Sequence, residues 1–197
     1  MSKLSFKETA IPTIALTLIC GISAALLAGT NEITYMRIAA AEEETKQNSM
    51  RSVTPDNTYK FEKAEIRDNT AECYKAFDKD GNVIAYAVSS SVKGYGGTVK
   101  VMTGIDKDGN IIAVNVYDNS SETPGLGAKT SESEFTDGFK GKSTENGFAV
   151  SKDIDKYPSA AEVDAVTGAT ISSRAAVTAV NNALDIYSEI SGGMNND

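Results

Sequence analysis

From Ala10 to Thr30 the chain carries no charged side chain and is rich in Ile, Leu and Ala. A helix needs roughly 20 apolar residues to cross the hydrocarbon core of a bilayer, and this run supplies them. Whatever follows Thr30 must then fold by itself on one side of a membrane. Pro12 falls in the first turn of the predicted helix, where its missing N–H costs nothing. Lys3 and Lys7 precede the run, while Glu32 and Glu42-Glu43-Glu44 follow it. That asymmetry predicts a single pass through the cell (inner) membrane, with residues 1–9 cytoplasmic, 10–30 spanning and the remainder outside. A cleaved signal ending at Ala39-Ala40-Ala41 is the rival reading. It fits less well, because a signal's apolar region is usually about 7–15 residues long and this run is longer.

Beyond the span, Ile33, Met36, Ala39 and Ala40 fit a helical stripe, so residues 31–57 read as a helical stalk or equally as a flexible linker. Residues 58–190 are enough for one domain with a core of its own. The polar end, 191–197, reads as a disordered tail. A formal charge of −8 and a pI near 4.7 disfavour nucleic acid or anionic lipid as the main partner. There is no histidine and no tryptophan. Ser-His-Asp and Cys-His nucleophile systems, His-ligated zinc and His-ligated haem all fall away, so redox chemistry has to come from a bound cofactor. Cys20 lies in the apolar run and Cys73 is alone in the soluble part, which excludes a disulfide between them as a prop of the fold. Cys73 reads as a half-buried strand residue.

Two segments repeat each other. Asp78-Lys-Asp-Gly-Asn-Val-Ile-Ala85 and Asp106-Lys-Asp-Gly-Asn-Ile-Ile-Ala113 differ at a single position. A calcium loop is excluded, because Gly falls fourth rather than sixth and the closing Glu is missing. Asp-Gly followed by β-branched residues predicts a hairpin turn and the strand after it. Strands are then expected near Ala71–Phe77, Val83–Ser90, Thr98–Ile105, Ile111–Asp118 and Phe148–Val150, with a loop over Asn119–Thr130 and a short helix from about Ser131 to Gly138. Ala176, Val180, Ala183, Leu184 and Tyr187 recur at helical spacing and predict a last helix from about Ser172 to Ser188. Strands first and helices later give an α+β domain.

Three further segments bear on chemistry. Gly94-Tyr95-Gly96-Gly97 is an irregular bend; it lacks the Lys-Ser/Thr ending of a phosphate loop. Glu122-Thr123-Pro124-Gly125-Leu126-Gly127 is a turn that leaves a leucine to pack on something. Asp164-Ala-Val-Thr167-Gly168-Ala169-Thr170-Ile171-Ser172-Ser173 places hydroxyls around a Gly-Ala step just before a helix. Serine or threonine there is ordinarily an N-cap, and the same helix start suits a phosphate.

Together, and in this order, the three segments resemble the FMN-binding domains of the G subunit of Rnf complexes and of the C subunit of the Na⁺-translocating NADH:quinone reductase. Asp-x-x-Thr-Gly-Ala-Thr is similar to that family's flavinylation motif, and Glu-Thr-Pro-Gly-Leu-Gly to another of its hallmarks. The likeness covers roughly Tyr59–Tyr187. It implies FMN held through a phosphoester to Thr170, installed from FAD by a flavin transferase. It also implies Thr167, Gly168, Ala169, Ile171 and Ser172 around the phosphate, and Thr123, Leu126 and Gly127 against the ring. Glu122 would be either a polar ring partner or a loop-fixing acceptor, and Asp164 a transferase recognition residue or a capping acid. The implied function is a membrane-anchored electron-transfer subunit of a ferredoxin:NAD⁺ oxidoreductase coupled to Na⁺ or H⁺ translocation, working with the other subunits of the complex. The C subunit of the quinone reductase, usually longer, and a stand-alone extracellular electron carrier are the alternatives. One departure is Ser120, where relatives often carry histidine.

Overall fold

The computed structural model describes residues 6–66, 71–142 and 145–193. It divides into two units, at Glu44/Thr45. The first is helical throughout its described part, belonging to helix α1 (Phe6–Ser52), with Ile14, Leu18, Ile22 and Leu26 among its exposed side chains. It holds the one helix among the described residues that is long and apolar enough to cross a membrane. The helix begins four residues earlier than the apolar run, at Phe6, so Pro12 lies beyond its first turn.

In the second unit, strands β1 (Lys60–Ala64), β2 (Ala71–Phe77), β3 (Val83–Lys93), β4 (Thr98–Asp106) and β5 (Ile111–Asp118) form an antiparallel meander in chain order. The two repeated segments build the β2–β3 and β4–β5 turns. In the first, Asp78 Oδ1 accepts from the N–H groups of Asp80 and Asn82, each at 2.9 Å. In the second, Asp106 Oδ1 accepts from Asp108 and Asn110, each at 2.8 Å. Gly81 and Gly109 sit at φ +85° and +84°, the left-handed region that a side chain disfavours.

After β5 come a single-turn helix at Gly127–Ser131, helix α2 (Ser133–Thr136) and another turn at Asp137–Phe139. The loop expected over Asn119–Thr130 is therefore helical in its last four residues. Strands β6 (Phe148–Val150) and β7 (Ala161–Val163) pair in parallel, so the strands are not all antiparallel. The short turn Ser151–Lys156 lies between them. Helix α3 (Thr170–Gly193) closes the domain. It overruns the expected end by five residues and makes 191–193 helical rather than a disordered tail; 194–197 lie outside the described residues. Asn181 on α3 accepts from the Phe148 N–H and donates to its carbonyl, both at 2.9 Å.

Both faces of the sheet are covered. Ala176, Val180 and Ala183 of α3 are wholly buried, joining Tyr86, Val88, Val101 and Ile105 of the sheet. Small side chains on α3 let it lie close to the strands, and each larger aliphatic buried there contributes about 1.5–3 kcal/mol. Tyr187 meets Tyr86 edge to face at 5.2 Å and donates to the Lys107 carbonyl. The opposite face is sealed by the end of α1 and the residue after it: Met50 and Val53 pack with Ala87 and Met102. Double cover explains why β3 is buried without interruption from Ala85 to Ser90. Cys73 is fully buried, not half-buried, and burial pushes its thiol up to about 12, which leaves it inert.

Candidate FMN site at the head of helix α3

The chain turns into α3 through Gly168, at φ +79°, and the Ala169 N–H donates to the Val166 carbonyl. The first helical bond runs from the Ser173 N–H to the Ala169 carbonyl at 3.0 Å. The N–H groups of Thr170, Ile171 and Ser172 are thus the open donors of the helix start, and no partner for them exists among the described residues. Neither serine caps them. Ser173 Oγ accepts from Val166 N–H and donates to the Ala169 carbonyl, while Ser172 Oγ points to Glu122. Three free donors and the positive helix end suit an anion.

In front of these donors opens a groove of about 510 Å³. Thr123, Leu126 and Gly127 line it together with Gly168, Ala169, Thr170, Ile171 and Ser172, and Tyr95 joins them. The size is in the range of a small-molecule site. Tyr95, Leu126 and Ile171 are 70%, 43% and 52% exposed, three apolar side chains left to solvent around one opening. Eight of the ten predicted site residues therefore meet here. Thr167 does not; it shares a smaller pocket of about 240 Å³ with Asp164, Gly125 and Glu132.

Glu122 lies behind this lining, only 3% exposed. Its carboxylate accepts from Ser172 Oγ at 2.5 Å and from the Gly96 N–H at 3.0 Å. Of the two roles left open for it, the geometry is that of the loop-fixing acceptor. The glycines around it are required by contact: a Cβ on Gly94 would sit 2.2 Å from Glu122 Oε1, and one on Gly96 would sit 2.0 Å from the Ser121 carbonyl oxygen. Glu122 thus joins the three sequence motifs at one carboxylate. Ser120 donates to Asp118 at 2.9 Å and stays exposed.

Tyr95, of the Gly94–Gly97 segment, joins the site although it was given no role in the sequence, and one residue carried no signal there at all: Lys152, whose Nζ lies 3.1 Å from Thr170 Oγ1. Its neighbour Asp153 takes a two-pronged contact from Arg174, Nε to Oδ2 at 2.5 Å and a terminal guanidinium nitrogen to Oδ1 at 2.7 Å. Those hydrogen bonds hold the Asp153 carboxyl below the usual carboxylate range and raise Arg174.

Residues 94–185 match the FMN-binding domain family. Two solved structures share the fold: NqrC of Shewanella oneidensis, at TM-score 0.51 and 19% identity over 76% of this chain and 74% of that one; and the C subunit of the Na(+)-translocating NADH-quinone reductase of Parabacteroides distasonis, at 0.55 and 24% over 77% and 83%. Sequence likeness goes further. The chain is 33% identical to the G subunit of the proton-translocating ferredoxin:NAD(+) oxidoreductase complex of Clostridium ljungdahlii, over 90% of this chain and 91% of that protein. It is 31% identical to the G subunit of the ion-translocating oxidoreductase complex of Methanosarcina acetivorans, over 94% and 98%. The protein belongs to the G-subunit family of ion-translocating oxidoreductase (Rnf) complexes.

Proposed function

We propose that this chain is the membrane-anchored electron-transfer subunit, the G subunit, of a ferredoxin:NAD⁺ oxidoreductase complex, carrying FMN as a phosphoester on Thr170. Near-full-length likeness to G subunits supports the complex, and it favours this assignment over the C subunit of the quinone reductase, with which the likeness is one of fold. One observation carries the attachment site: the Thr170 hydroxyl opens α3, inside a groove, beside three unpaired N–H groups. When bound, FMN supplies acceptance and release of electrons. The protein's share is to hold the phosphate at Thr170–Ser172, to give the ring apolar walls at Tyr95, Leu126 and Ile171, and to brace both loops through Glu122. A covalent link also prevents loss of a cofactor that is scarce outside the cytoplasm.

Lys3 and Lys7 before the span support an extracytoplasmic domain. A reporter fused after Asp197 is then active only outside the cytoplasm; activity inside would reverse the orientation. For the attachment, co-expression with a flavin transferase adds one FMN-phosphoryl mass to the peptide holding Thr170 and gives flavin fluorescence on a denaturing gel. Thr170→Val removes the ester oxygen at nearly constant shape and abolishes both signals while the domain still folds. Thr167→Ala retains them. An unmodified wild-type peptide, or the two variants exchanging behaviour, would refute the assignment.

A further inference from the structure

Lys152 stands 18 residues before Thr170 in sequence, on the short turn between β6 and β7, yet its ammonium reaches the Thr170 hydroxyl oxygen at 3.1 Å. An ammonium has three donors and no acceptor, so it must donate to Oγ1 and leave the hydroxyl proton free to point elsewhere. The turn is tied down from α3 itself. Arg174 lies four residues, one helical turn, after Thr170, and its fork holds Asp153 next to Lys152. The helix that presents the hydroxyl therefore also fixes the segment that brings the cation. Asp153 is 9% exposed and anchored, while Lys152 extends into solvent at the groove's edge.

We propose that Lys152 is the resident cation of the acceptor site: it orients the Thr170 hydroxyl for phosphoryl transfer and neutralises the phosphodiester formed there. This rests on the reading of Thr170 as the FMN carrier. In the transfer, Thr170 Oγ1 bonds to the flavin-side phosphorus of FAD. The phosphoanhydride bond to that phosphorus breaks, AMP leaves with the bridging oxygen, and the hydroxyl proton passes to a base of the transferase or to water. No electrons change hands. Lys152 stays protonated throughout, so its part is electrostatic and positional. A phosphodiester carries one negative charge, which one ammonium balances.

The test follows mass addition over time on the purified full chain in detergent, with flavin transferase, Mg²⁺ and FAD. Lys152→Met and Lys152→Gln are each expected to slow FMN attachment about tenfold, less than the loss from an enclosed donor because the site is open to water. Lys152→Arg keeps the charge and remains within about threefold of wild type. Added salt slows the wild type and leaves Lys152→Met nearly unchanged, since only the former has a cation to screen. Unchanged unfolding temperatures in the variants separate this from a folding defect. A wild-type rate in Lys152→Met, or Lys152→Arg as slow as Lys152→Met, would overturn the role while leaving Thr170 as carrier. Wild-type protein that gains no mass would instead overturn the Thr170 reading, and this role with it.

Discussion

The turn at Asp106–Asn110 and the brace at Glu122 use the same chemistry, a carboxylate accepting two hydrogen bonds, from two backbone N–H groups at Asp106 and from one N–H and one hydroxyl at Glu122, but on different scales. Asp106 reaches partners two and four residues away. Glu122 reaches Gly96, 26 residues back, and Ser172, 50 residues ahead. The first shapes one hairpin. The second holds two loops and a helix start in register, and it does so out of contact with water. A local acceptor can be lost with damage confined to its hairpin; a buried, non-local one cannot.

Glu122→Ala should have the largest effect. It leaves the Ser172 hydroxyl and the Gly96 N–H without their acceptor, and we expect a loss of about 2–4 kcal/mol in stability. Flavin attachment at Thr170 should fall with it, because the groove wall and the helix start are no longer tied. Asp106→Ala, in a partly exposed turn, should cost about 1 kcal/mol and leave attachment at the wild-type level. Urea unfolding of both variants, alongside mass addition, tests the contrast. Equal stability losses, or attachment lost in Asp106→Ala and kept in Glu122→Ala, would end it.

Glu72 sharpens the comparison because it shares one property with each. Like Glu122 it spans 26 residues, accepting from Lys46 near the end of α1, and it also takes Lys63 of β1 at 2.5 Å. Like the turn aspartates it is wet. Burial by itself would raise its pKa, but the two lysines outweigh that and hold it near 2, below its ordinary 4.5. A depressed carboxyl contributes stability that is complete above pH 4.5 and is lost as pH falls towards 2. Screened by solvent, that contribution is at most about 1 kcal/mol. Glu72→Gln should therefore unfold more easily than wild type at neutral pH and converge on it at about pH 2, a gap that 1 M salt narrows. A gap that persists at low pH would mean the effect is packing and not charge.

The parts of this molecule that could be read from sequence are those whose causes lie within a few residues. The Asp-Gly-Asn turns carry their own hydrogen bonds. Helix α3 announces its buried face through the spacing of Ala176, Val180, Ala183, Leu184 and Tyr187, all of them buried. Strand β1 was not legible, because Lys60-Phe-Glu-Lys-Ala lies at the sheet edge and has no fully buried position to impose an alternation. Strand β7 is three residues long and exists through its pairing with β6. At the site, the motif residues were visible as a set, and eight of the ten do meet in the groove. Lys152 and the Arg174–Asp153 pair were not, since single charges in a short turn and on a helix look like ordinary surface until the fold brings them together beside Thr170.

Asn181 has a consequence of a different kind. Strand β6 pairs with β7 along one side, where the Ala161 N–H meets the Gly147 carbonyl. The other side would expose the N–H and carbonyl of Phe148 as a template for any passing extended chain. The Asn181 amide occupies both groups, one donor and one acceptor, as a neighbouring strand would. A single side chain thereby stands in for a missing strand and blocks edge-to-edge growth between copies of the domain.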